Sequence, residues 1–206
     1  MSELLRVENL SVSFDTPRGE IQAVRGVSLA LSRGEVLVVV GESGCGKSVL
    51  CKAVMKLLPP TARIRAGRIF LNGTDITDYR EREMRKLRGR AFSMVFQDPM
   101  TALNPTIPVG RQIAEAVRAH NRRLPEAAVR QKVFALMELV GIERGAERYN
   151  LCPHSFSGGM RQRIVIAIAL ASNPELLICD EPTTALDVTI QAQILELIND
   201  IKKRRD

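Results

Sequence analysis

Leu37-Val38-Val39-Val40 runs directly into Gly41-Glu42-Ser43-Gly44-Cys45-Gly46-Lys47-Ser48, and a short apolar run, a glycine loop and a helix start in that order leave few folds open. The apolar run reads as a buried strand. The segment after the loop carries helix periodicity through Val49, Met55 and Leu58. Glycines at 41, 44 and 46 let successive backbone N–H groups turn inward around a phosphate, where a Cβ would block the approach. The helix beginning there adds the positive end of its dipole. Lys47 then reaches β- and γ-phosphates, and the Ser48 hydroxyl is placed to ligate Mg²⁺. The expected ligands of this loop are therefore ATP and Mg²⁺.

A second apolar run, Leu176-Leu177-Ile178-Cys179, stops abruptly at Asp180-Glu181-Pro182. Neighbouring side chains on a strand point to opposite faces, so the two carboxylates cannot share one role. Asp180 is expected to hold Mg²⁺ through water and Glu181 to act as general base on the attacking water. Between the two runs lies Ser157-Gly158-Gly159-Met160-Arg161-Gln162, followed by apolar positions at Ile164, Ile168 and Ala171. Ser157 is read as the cap of that helix. Its hydroxyl and the N–H groups of Gly158 and Gly159 form an anion site at a helix N-terminus.

Taken together, Gly41 to Ser48, Gln97-Asp98-Pro99-Met100-Thr101-Ala102-Leu103-Asn104-Pro105, Phe156 to Arg163 and Cys179 to Gln193 resemble the ATP-binding subunits of bacterial oligopeptide and dipeptide importers, members of the ATP-binding cassette family. The resemblance covers nearly the whole chain, and the Met160 form of the signature is similar to the subunit that pairs with a second, different ATPase. It implies an α/β fold: a P-loop NTPase (RecA-like) core, an N-terminal antiparallel β subdomain and a helical insert carrying the signature. It implies that Phe14 stacks on adenine, although a Phe in an alternating strand also reads as core. Gln97 would sense metal and water and link to the transmembrane partner. Asp187 would couple two opposed sites across a dimer, or simply cap a helix. The nucleotide site is then Phe14, Gly41, Glu42, Ser43, Gly44, Cys45, Gly46, Lys47, Ser48, Val49, Gln97, Ser157, Gly158, Gly159 and Asp187, with Glu181, Lys47 and Gln97 catalytic and Ser48, Gln97 and Asp180 toward the metal. The signature would face ATP bound by an opposed, head-to-tail ATPase, identical or different. The remaining partners implied are permease subunits and, indirectly, an extracytoplasmic substrate-binding protein.

Composition adds exclusions. The net charge of +7 comes from 30 basic and 23 acidic residues, but the cations are dispersed over Arg80 to Arg90, Arg118 to Arg123 and Lys202 to Arg205. Aromatics are only 4%, with no interleaving of rings and bases, so nucleic acid is not an expected partner. No run reaches the roughly 18 apolar residues of a membrane span, and Met1-Ser2-Glu3 opens no secretory signal. The expected location is peripheral, on the cytoplasmic face of the inner (plasma) membrane. Cys45, Cys51, Cys152 and Cys179 lack paired spacing, and neither His120 nor His154 has a ligand partner at metal spacing. Cys45 lies inside the phosphate loop beside Lys47, so alkylation there is expected to compete with nucleotide.

The organisation follows from the periodicities. Residues 4 to 40 read as strands with turns at Thr16-Pro17-Arg18-Gly19 and Ser32-Arg33-Gly34, and a further strand is expected from Gly67 to Leu71. Phe92 to Phe96 is strand-like. Pro99 to Asn173 is helical, with one helix started by Pro125 and stopped by Gly141, and Val188 to Arg205 forms a last helix. One domain is expected, with residues 1–98 and 174–206 forming the core and 99–173 the helical subdomain. The family continues past this last helix into a strand and a loop bearing a histidine toward the γ-phosphate, neither present here. The resemblance therefore implies a gap in the sheet between the strand before Gly41 and the strand before Asp180. Two other readings stay open: a cassette ATPase acting on DNA or ribosomes, and a nucleotide-binding module that never turns over.

Overall fold

The computed structural model describes residues 2–121, 123–183 and 187–203, and the chain divides into two compact units, Met1–Leu87 and Arg88–Asp206. Met1, Arg122, Thr184, Ala185, Leu186, Arg204 and Arg205, which enter the readings above, lie outside the described residues.

The first unit is built on an antiparallel sheet of β1 (Glu3–Thr16), β2 (Gly19–Ser32), β3 (Ala62–Leu71) and β4 (Thr74–Asp75), in the order β2-β1-β3-β4. β1 and β2 form a hairpin closed by Pro17-Arg18, with the Thr16 hydroxyl donating to the Gly19 carbonyl at 2.7 Å. The central strand β1 buries Leu5 and Val7, then Leu10 and Val12. That change of parity needs an extra residue, because side chains alternate strictly along a regular strand. The pairing with β3 supplies it: Glu8 faces Arg68 and Ser11 faces Ala66, so Asn9 and Leu10 together oppose Gly67. The strand expected from Gly67 thus begins five residues earlier, at Ala62, and Gly67 sits inside it at the bulge. Helix α1 (Lys47–Val54) buries Leu50, Ala53 and Val54, and α2 (Glu81–Leu87) buries Met84.

The expected buried strand before the phosphate loop is not found. Residues 35–42 belong to no strand, and Val36 to Val40 are 43 to 87% exposed. A buried strand needs ladder partners for its backbone and cover on both faces. Among the described residues no strand pairs with this run.

In the second unit β5 (Phe92–Val95) pairs in parallel with β6 (Leu176–Cys179), and β6 pairs with β5 alone among the described residues. Among the described residues the helices are α3 (Pro99–Ala102), α4 (Val109–His120), α5 (Glu126–Leu139), α6 (Gly145–Arg148), α7 (Gly158–Leu170) and α8 (Val188–Lys203), with a 3₁₀ turn at Pro153–Ser155. Pro125 and Gly141 flank α5 as the sequence implies. The core joins Val95, Ile113, Val117, Val129, Val133, Met137, Ile164 and Ile166. α7 corrects the single-stripe reading: Val165, Ile166, Ala167 and Ala169 are buried along with Ile164, so the helix is apolar on nearly all sides and lies inside the unit. Its polar member of the interior is Gln162, whose Nε2 finds no hydrogen-bond partner among the described residues. A buried unmet amide donor costs about 1–3 kcal/mol.

Candidate functional site

The sequence-derived residues fall in two groups, one in each unit. In the first unit, Gly44 and Gly46 take left-handed φ values of 80° and 97°, which turn the loop and deliver Lys47 as the first residue of α1. A Cβ at Gly46 would stand 2.4 Å from the Ala23 carbonyl oxygen, whereas one at Gly44 would meet nothing within 4 Å. The first glycine is demanded by the fold and the second by backbone conformation alone. Lys47 Nζ donates to the carbonyls of Gly41 at 2.8 Å and Glu42 at 2.9 Å, so the ammonium is held across the mouth of the loop. Glu42, Ser43 and Cys45 are exposed; Ser48 and Val49 are half-buried at the start of the helix. Phe14 is half-buried near the end of β1, paired with Ile21 on one side and Ala62 on the other. The loop offers an anion a helix N-terminus and an ammonium, a donor set that fits a polyphosphate.

Cys45 Sγ lies 3.9 Å from Lys47 Nζ, and a Cβ on Gly41 would come within 2.6 Å of it. The exposed thiol therefore occupies the loop itself. Alkylation with N-ethylmaleimide is expected to abolish nucleotide binding, and saturating ATP to slow the alkylation. Full binding after stoichiometric modification of Cys45 would refute this.

In the second unit the structure joins two residues that are 84 positions apart. Gln97 Nε2 donates to Glu181 Oε2 at 2.8 Å. Gln97 follows β5 and Glu181 follows β6, and the parallel register that pairs Val95 with Cys179 brings the two strand ends together. The Asp180 N–H continues the ladder by donating to the Val95 carbonyl at 3.0 Å. Asp180 is buried, and Glu181 adopts φ 47°, a left-handed conformation that strains a residue with a side chain.

Ser157 caps α7 by accepting from the Met160 N–H at 3.4 Å. Ser157 and Gly158 are exposed, while Gly159 is buried where a Cβ would meet Ile190 Cγ2 at 2.6 Å. Asp187 is exposed immediately before α8, and its carbonyl accepts the first helical bond from Gln191 at 2.9 Å. The contacts of two further side chains escaped the sequence reading. Gln112 latches the loop before α4 by donating to the carbonyls of Asn104 and Ile107 and accepting from the Asn104 N–H. Arg161 contacts Pro153, His154 and Met100. A hollow of about 640 Å³ in the first unit, lined by Lys56, Arg65, Arg68, Asp75 and Asp78 among others, holds none of the motif residues. Burial lowers the Lys56 pKa there, opposed by the nearby Asp78, Glu83 and Asp75 carboxylates.

Comparison with known proteins agrees with this geometry. The chain is 55% identical to the oligopeptide transport ATP-binding protein OppD of Bacillus subtilis (strain 168), over 100% of its own length and 58% of that protein. It is 54% identical to the dipeptide transport ATP-binding protein DppD of the same organism, over 100% of its length and 62% of the relative. The chain thus spans about three fifths of the length of these two relatives. Among solved structures, cbiO1 from Clostridium perfringens, part of the ABC transporter complex cbiONQ, superposes with a TM-score of 0.82 at 30% identity, covering 99% of this chain and 75% of that one. The sequence model of the ABC transporter family matches residues 24–184, a span holding the phosphate loop, Gln97, the signature and both carboxylates, and the chain belongs to that family.

Proposed function

We propose that the chain is the ATP-binding and hydrolysing subunit of an importer for di- or oligopeptides. The observation that carries this reading is the Gln97–Glu181 hydrogen bond at the ends of two parallel strands. It fixes a carboxylate at a strand end in a chain that also carries a complete phosphate loop. Glu181 takes a proton from water as the water oxygen bonds to the γ-phosphorus and the bond to the ADP oxygen breaks. The N–H groups of residues 44–48 and Lys47 hold the phosphates, Phe14 the adenine, and Ser157 with Gly158 the γ-phosphate of an opposed ATPase, where Asp187 meets the partner. Mg²⁺, when bound, draws charge from the phosphate oxygens. Ser48, Asp180 and the amide oxygen of Gln97, which its bond to Glu181 does not use, are donors of the right type to hold it.

Peptides as cargo are supported by the two peptide-transport relatives, since the ATPase itself has no contact with cargo to read. Among the described residues no helix is long and apolar enough to cross a membrane, which suits a peripheral subunit on the cytoplasmic face, leaning on a permease. The test is ATP hydrolysis by the assembled transporter in vesicles, with and without peptide-loaded binding protein. Acceleration by the loaded protein is the expected result. Unstimulated hydrolysis, with nucleic-acid binding that weakens steeply in salt, would replace it with a non-transport role.

A further inference from the structure

We propose that the hollow in the first unit is a binding site for a short peptide with free termini, its ammonium toward Asp78, its carboxylate toward Arg68 and its main chain along the open edge of β3. The hollow of about 640 Å³ has the size of a small-molecule site and is lined from β3, from the residues after α1 and from β4 and the residues after it. It carries charges of both signs, Lys56, Arg65 and Arg68 against Asp75 and Asp78. Three of the five are engaged. Lys56 Nζ donates to the Tyr79 carbonyl at 2.8 Å, Arg65 pairs with Asp15 at 2.5 Å and Glu20 at 3.0 Å, and the Asp75 carboxylate accepts the Thr77 N–H at 2.9 Å. Arg68 and Asp78 form no hydrogen bond or close ion pair among the described residues, and feel Asp75 and Lys56 only at longer range. One guanidinium and one carboxylate on the same hollow are left for a ligand.

The strand beside them supplies the rest of the site. β4 pairs only with Phe70 and Leu71, and Ile69 is closed by the Ile76 N–H and the Thr77 hydroxyl. From Arg63 to Arg68, β3 pairs with β1 on one side and has no strand on the other among the described residues. Ala66 and Gly67, between the two arginines, put little side chain in front of that edge. An extended ligand can therefore add main-chain hydrogen bonds there.

The mixed charge selects the ligand. A phosphate or other polyanion would face Asp75 and Asp78, and a polyamine would face Arg65 and Arg68. The same edge of a second copy would set arginine against arginine. A zwitterion meets both signs. Choosing a peptide over a lone amino acid rests on the open edge and on the function proposed above, whose cargo would reach this hollow after delivery.

The experiment is calorimetric titration of the full-length ATPase, free of permease and binding protein, with trialanine, N-acetyl-trialanine and trialaninamide. Saturable binding of trialanine is expected, unchanged by ATP, with each blocked form about tenfold weaker, as loss of one charged contact implies. Asp78→Asn is expected to weaken trialanine about tenfold and leave N-acetyl-trialanine unaffected; Arg68→Gln should do the same for trialanine and spare trialaninamide. Both substitutions are at exposed positions, and each serves the test without the other. No saturable binding, equal weakening of all three ligands, or tighter binding of inorganic phosphate or spermidine would overturn the proposal. Binding is read without hydrolysis or transport, so failure of this site leaves the functional reading intact, and failure of peptide-stimulated hydrolysis overturns that reading alone.

Discussion

Glu181→Gln is expected to lower ATP turnover by about 10²–10⁴ while leaving ATP-dependent association of the ATPase pair intact. The reason is in the Gln97–Glu181 bond. Gln97 donates through Nε2 at 2.8 Å, and the amide oxygen of the replacement still accepts that bond, though as a weaker, neutral one. The strained left-handed backbone at φ 47° is the same for both side chains, and length and shape are unchanged. What disappears is basicity: an amide takes no proton from the attacking water. Glu181→Ala removes the bond as well, freeing Gln97 and with it the segment leading to Met100, so it is expected to impair both turnover and association. Phosphate release and gel filtration with ATP separate the two variants. Hydrolysis surviving in Glu181→Gln would remove Glu181 from the base role, and a parent with no turnover would favour the non-hydrolytic reading.

The parts of this fold legible in the sequence are those settled within a few residues. The turn at Pro17-Arg18, the Pro125 and Gly141 boundaries of α5, the Ser157 cap and the helix opening at Lys47 are local matters of dihedral preference and orphan N–H groups. Non-local pairing was less visible. Leu37 to Val40 has the composition of a buried strand, but composition cannot say whether a neighbour is there to receive its hydrogen bonds, and here the run stays exposed. The bulge opposite Gly67 was hidden for the same reason: it is a property of two strands in register. In the site, the residue types were legible and the contacts were not. Gln97 and Glu181 were read as separate candidates, with no signal that one amide would hold the other's carboxylate across 84 positions. Arg161 lies inside the signature run and Gln112 in no motif, but neither position showed which backbone carbonyls its side chain would reach.

Gly67→Ala is expected to destabilise the first unit by more than about 3 kcal/mol, a large share of the 5–15 kcal/mol typical of a whole domain. Gly67 has φ 97°, where an alanine is strained whatever space surrounds it. The space is also taken: a Cβ would lie 2.5 Å from the Glu8 carbonyl oxygen and from Leu10 Cα, and 2.6 Å from Leu10 N. All three are backbone atoms of the central strand, bonded into ladders on both sides, so relief means breaking pairs with β2 or β3. The bulge cannot be straightened instead, because Leu10 and Val12 would then exchange the core face for solvent, at about 1.5–3 kcal/mol each. Gly73→Ala is the matched control, with φ 73° but nothing within 4 Å of the added carbon, and only the conformational cost of about 1–2 kcal/mol applies. Urea unfolding of the two variants side by side, followed by a probe in the sheet, measures the difference. If Gly67→Ala proved no worse than Gly73→Ala, β1 would have to accommodate a Cβ at the bulge, and the register that carries Phe14 to the far end of the hairpin would not depend on this glycine.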